Sequence, residues 1–237
     1  MTITEQFFAD RDAMFQTLSQ SAEVLLRGAL SSGLHASLLV SGGSTPEPLY
    51  RSLSALPLDW EKVDVGLVDE RWVAPDHPAS NEAFIRRSLL QNRAATARFI
   101  GMKNSAVSAL LGQPACNEAY FDLKLPYDLT ILGMGSDGHT ASLFPFAEGL
   151  DTALDLDNSA FCTPIMAQPS EVTGDNLERM SLTLSALLQS RQIWLLLTGD
   201  DKREVYERAK LNDNRRAMPV SALLHQERVS VSVFWAP

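Results

Sequence analysis

Ala36-Ser37-Leu38-Leu39-Val40-Ser41-Gly42-Gly43-Ser44-Thr45-Pro46 passes from an apolar run through paired glycines to a proline. Ala36–Val40 is a short, largely apolar run, too brief for a helix and suited to a buried strand. Ser41-Gly42-Gly43 stops it, and Pro46, favoured at the first position of a helix, opens the next element with Ser44 or Thr45 as its cap. The stretch therefore reads as strand, glycine turn and helix.

Outward from there the alternation repeats. Residues 63–68, 129–132, 193–197 and 229–235 read as strands, and 81–90 and 200–210 as helices. Upstream, Phe7, Phe8, Met14, Phe15, Leu18, Ala22, Leu25 and Leu26 are spaced for one long amphipathic helix over residues 4–30, ended by Ser31-Ser32-Gly33. Strands separated by helices need crossover connections, which favour a mostly parallel sheet covered by helices on both faces. No repeat, low-complexity tract or Pro/Gly-rich linker interrupts the pattern, so one domain is expected over residues 1–237.

The composition sets the outer bounds. Of 237 residues 45% are hydrophobic and 21% charged, as in a soluble globular protein with a substantial core. A net charge of −9 disfavours nucleic-acid binding, which needs a basic surface, and leaves a small anion as a partner only if specific Arg and Lys residues form a local cationic pocket. Cys116 and Cys162 have neither C-x-x-C nor zinc-ligand spacing and read as free thiols. Without an apolar leader or spanning run, the expected location is the cytoplasm, with no membrane partner. The sequence specifies no oligomeric state.

Ligands of such sheets gather at the carboxyl ends of the strands, and four unusual loops fall there. In the first, Gly42, Gly43, Ser44 and Thr45 let the backbone approach an anion at a helix N-terminus, although a tight turn would use the same residues. It lacks the Gly-Lys-Ser/Thr ending of a nucleotide-triphosphate loop. In the second, Asp69-Glu70-Arg71-Trp72 offers two acids and a planar cation suited to phosphate, or a solvated charge cluster.

The third, Gly133-Met134-Gly135-Ser136-Asp137-Gly138, matches G-x-G-x-x-G, which raises dinucleotide binding. The ribose-binding acid would then fall near Asp155 and Asp157, in a polar stretch that does not read as a buried strand, so the position argues against a nicotinamide dinucleotide. His139 follows at once, two residues beyond Asp137, which places an imidazole beside a carboxylate able to fix its tautomer. His35, His77 and His225 have no comparable setting. In the fourth loop, Thr198-Gly199-Asp200-Asp201-Lys202, Lys202 can reach the anion of the first turn or serve as an ordinary exposed lysine.

Together the 41–46 turn, Asp69-Glu70-Arg71-Trp72-Val73, Ser80-Asn81 and the run from Gly133 to Pro145 resemble the 6-phosphogluconolactonase family, in the same order. The resemblance implies a Rossmann-like, three-layer α/β domain and hydrolysis of a phosphosugar lactone in the oxidative pentose phosphate pathway. It marks His139 and Asp137 as catalytic. The phosphosugar would be held by Gly42, Gly43, Ser44, Thr45, Asp69, Arg71, Asn81, Lys202 and, just before Ser181, Arg179. Glu82 departs from the aromatic residue of many relatives but leaves Asn81 intact.

The related glucosamine-6-phosphate isomerase/deaminase group follows its histidine with Asn-Glu-Pro, where this chain reads Leu143-Phe144-Pro145. Phe144 cannot carry the proton that deamination needs, and Glu148 lies beyond Pro145. Lactonase is thus favoured over deaminase or a non-catalytic sugar-phosphate sensor. A reactive δ-lactone needs positioning and one general base to activate water, without metal or cofactor. A covalent serine route would call for a G-x-S-x-G elbow, which is absent.

Overall fold

The computed structural model describes residues 3–237. In chain order the elements are β1 (Ile3–Phe7), α1 (Arg11–Ser32), β2 (Ala36–Val40), α2 (Glu47–Ser54), β3 (Val63–Leu67), β4 (Asp69–Arg71), α3 (Asn81–Ser88) and β5 (Arg98–Ile100). There follow α4 (Ala109–Phe121), β6 (Leu129–Gly133), α5 (Leu150–Leu154), β7 (Cys162–Met166) and β8 (Glu178–Leu182). The chain closes with α6 (Leu184–Leu187), β9 (Ile193–Thr198), α7 (Asp200–Leu211), α8 (Val220–Leu224) and β10 (Val231–Ala236).

Seven strands form one parallel sheet in the order β1-β10-β9-β6-β2-β3-β5. Parallel crossovers are right-handed, so connections stepping one way (β1 to β2, β2 to β3) put α1 and α2 on one face. Connections stepping back (β5 to β6, β9 to β10) put α4 and α7 on the other. The interior strands β2 and β3 are buried at every residue, as strands covered on both faces must be. Truncating such a side chain, Leu38→Ala for instance, removes about 2–5 kcal/mol of stability.

The stepping direction reverses between the neighbours β2 and β6. Chains leaving these two strands diverge to opposite faces, which opens a crevice beyond their carboxyl ends. A second sheet, β4-β8-β7, is antiparallel and stands beside this crevice. Val68 joins the sheets: its N–H donates to Val40 O, and its carbonyl accepts from Leu182 N.

Three expectations need correction. Residues 4–30 are not one helix, because Ile3–Phe7 pairs with β10 as an edge strand and Asp10 caps α1, its side chain accepting from Ala13 N at 2.8 Å. Neither Ser44 nor Thr45 caps α2: both face the crevice, and Thr45 Oγ1 lies 3.4 Å from Thr198 Oγ1. Asp69-Glu70-Arg71 is a strand of the second sheet rather than a free loop.

Candidate active site

The crevice contains a cavity of about 230 Å³. Its wall includes Ser41, Gly42, Gly43, Ser44 and Thr45 from the β2–α2 turn, Asp69 and Arg71 from β4, and Asn81 from the start of α3. Gly133, Met134, Gly135, His139, Ala141 and Phe144 come from the loop after β6, with Val172, Arg179 and Lys202 closing the rim. All the expected binding residues thus line one cavity; Asp137 stands behind His139.

The turn after β2 is held from below by Tyr50, whose hydroxyl accepts from Ser41 N at 3.1 Å and donates to Ser41 O at 2.9 Å. Gly43 has φ +97°, a left-handed conformation open to glycine and strained for other residues. A Cβ on Gly42 would overlap Asn81 Oδ1, so this glycine is what lets Asn81 pack against the turn.

The loop after β6 is shaped around the imidazole. Asp137 Oδ1 lies 2.6 Å from His139 Nδ1 and accepts from His139 N at 3.1 Å. When the imidazole is neutral, this pairing favours the ring proton on Nδ1 and leaves Nε2 as an acceptor without a partner among the described residues. A Cβ on Gly135 would overlap the His139 ring, so the glycine is the imidazole's seat. Burial opposes ionisation of Asp137, but the bonds and charge of His139 prevail and hold its carboxyl below the usual value.

Phe144 is buried, with its ring 4.3 Å from the His139 ring and 5.2 Å from the Arg179 guanidinium carbon. Its ring forms an apolar wall of the cavity. Glu148 lies outside this cavity and lines a different one with Ile165 and Met166.

Charge in the cavity runs against the acidic average of the chain. Arg71 and Arg179 are directly opposite each other in the β4–β8 register, a repulsive arrangement unless an anion lies between them. Burial and the nearby Arg71 lower the Arg179 pKa to about 10. Lys202 is likewise lowered, by burial and then by Arg11. Two buried polar atoms without a partner among the described residues, Ser41 Oγ and Arg71 Nε, belong to lining residues, and an unmet buried polar atom costs about 1–3 kcal/mol.

Arg179 is not wholly free for a ligand. Its Nε donates to Asn176 O and its Nη2 to Thr173 O at 2.9 Å, which ties the 167–177 loop, and with it Val172, to the cavity rim. Glu70 turns away from the site: it accepts from the N–H groups of Arg71, Asn81 and Glu82 and from Ser80 Oγ, and so anchors the start of α3. Burial pushes its carboxyl up. Sequence reasoning missed Val172 and Ser142, whose hydroxyl donates to Asp69 Oδ2 at 2.6 Å.

The family model of glucosamine-6-phosphate isomerases/6-phosphogluconolactonase matches residues 9–235. This chain belongs to that family. The 6-phosphogluconolactonase of Rhizobium meliloti (strain 1021) is 35% identical over 237 residues, 100% of both chains. That of Pseudomonas aeruginosa is 39% identical over 224 residues, 94% of this chain and 91% of its own. The crystal structure of a 6-phosphogluconolactonase from Shewanella baltica OS155 superposes with a TM-score of 0.94 at 40% identity, covering 100% of this chain and 98% of that one. Family membership and the mostly parallel, helix-flanked sheet agree with the resemblance carried by the glycine turn and the Asp137-Gly138-His139 loop.

Proposed function

We propose that the chain hydrolyses 6-phospho-D-glucono-1,5-lactone to 6-phospho-D-gluconate, a step of the oxidative pentose phosphate pathway, with His139 as general base. One observation carries this reading: His139, pinned by Asp137 at 2.6 Å, lines the same cavity as Arg71, Arg179 and Lys202. The cations and the Gly42-Gly43-Ser44-Thr45 turn hold the 6-phosphate, and Asp69 and Asn81 lie along the path between that turn and the imidazole. His139 Nε2 takes a proton from water as the water oxygen attacks the lactone carbonyl. The bond from that carbon to the ring oxygen then breaks, and the imidazolium returns its proton to the departing oxygen. Asp137 stabilises the transient imidazolium and keeps the ring oriented.

The product acid ionises at neutral pH, so turnover releases protons. The partner is a small phosphosugar lactone in the cytoplasm, and neither nucleic acid nor membrane takes part. Among the described residues no helix is long and apolar enough to cross a membrane. Phe144 supports the lactonase over the deaminase reading, because deamination needs a proton shuttle that a phenyl ring lacks. The expected result with glucosamine 6-phosphate is competitive inhibition with no ammonia. Ammonia release at a rate comparable to lactone hydrolysis would move the assignment to the deaminase branch.

A further inference from the structure

Both edges of the His139 imidazole are accounted for, and its surroundings contain one further group. The Nδ1 edge bonds Asp137 at 2.6 Å, and the Nε2 edge has no protein partner among the described residues. Against the ring lies Phe144: the two centroids are 4.3 Å apart and the planes are inclined by 37°, closer to stacking than to an edge-on contact. Phe144 is 3% exposed and the His139 side chain 20%, so the pair is largely withdrawn from solvent.

An apolar wall in this position opposes the chemistry. Taking a proton from water turns His139 into an imidazolium, and burial beside hydrocarbon disfavours that charge. A phenyl face differs from aliphatic hydrocarbon here, because its quadrupole places negative charge over the ring and attracts a cation within about 6 Å of the centroid. Neutral imidazole gains little from that face and imidazolium gains more, so the contact strengthens as the proton is transferred. Arg179 also lies over the Phe144 ring, its guanidinium carbon 5.2 Å from the centroid. Its charge is the same before and after the transfer, so its attraction to Phe144 cancels from the rate. The contact with His139 does change between ground state and transition state, and only such an interaction accelerates the chemical step.

We infer, on the lactonase reading proposed above, that Phe144 is a positioning residue for the hydrolysis. It holds the His139 ring against its own face and stabilises the imidazolium that forms as water is deprotonated.

The test separates the electronic character of the ring from its shape. Phe144 is replaced by phenylalanines carrying one, two and three ring fluorines, which keep the side chain apolar and close to its size while withdrawing charge from its face. Single-turnover hydrolysis of 6-phosphogluconolactone, with enzyme in excess and corrected for the spontaneous reaction, reads the chemical step. The rate should fall stepwise with fluorine content, by about 3- to 30-fold in total. Phe144→Leu, an apolar wall without a π face, should fall at least as far. Affinity for 6-phosphogluconate, measured by calorimetry, should stay at the parental value in the fluorinated enzymes. In the His139→Ala background the fluorine series should be flat, since the ring acts through the imidazole. Equal rates across the series in the enzyme that retains His139 would reduce Phe144 to packing and overturn the inference, as would a slope that persists in His139→Ala. A parent no faster than buffer would sink the lactonase reading itself, a result distinct from a flat series in an active enzyme.

Discussion

His139 and Asp137 are two residues apart in sequence, and Gly135 clears the space in which they meet. Because the Asp137 carboxyl is held below its usual value, the folded state binds its proton less readily than the unfolded chain does. Its contribution is therefore fully present above the unfolded value near 3.8 and is lost as pH falls through the lower folded value. In denaturant titrations the stability gap between the parent and Asp137→Asn should hold down to about pH 4 and narrow below it. A gap that widens with acid would contradict the pairing. This pair was legible in the sequence because its geometry is local. Ser142 and Asp69 are 73 positions apart, and no spacing or motif announces a bond made only when the loop after β6 folds against β4.

At the scale of elements, β4 and α7 deliver the cations. Arg71 faces Arg179 across the β4–β8 ladder, and Lys202 lies in the first turn of α7, so an anion joining them offsets mutual repulsion. Arg71→Ala and Lys202→Ala should each lower the preference for 6-phosphogluconolactone over plain gluconolactone toward unity, with turnover falling too because the phosphate positions the carbonyl. Unchanged preference in both variants would show that the anion site lies elsewhere. Sequence patterning revealed β2, β3, β6 and β9 because strands covered on both faces are rich in Val, Ile and Leu, even where Ser37, Asp64 and Thr130 interrupt the run. It merged β1 into a helix, since Ile-Thr-Glu-Gln-Phe is largely exposed at a sheet edge and carries no apolar alternation. The three-residue β4 and β5 are too short to show any period.

For the whole molecule, we propose that residues 1–237 form one domain, because Val68 bonds into both sheets and the cavity draws its wall from each. Thermal unfolding followed by far-ultraviolet circular dichroism and by tryptophan fluorescence should then coincide in a single transition; two separated transitions would divide the chain. The acidic surface and the cationic cavity are compatible because a few buried charges, rather than the net value of −9, set the local potential. The activity proposed for this cavity is hydrolysis of a phosphosugar lactone through His139. Its most direct test is proton release from freshly prepared 6-phosphogluconolactone, corrected for spontaneous hydrolysis, by the parent enzyme and by His139→Ala of matched thermal stability. The parent should accelerate release and the variant should lose about 10²–10⁴-fold. A folded His139→Ala enzyme with near-parental turnover, or a parent no faster than buffer, would contradict the account.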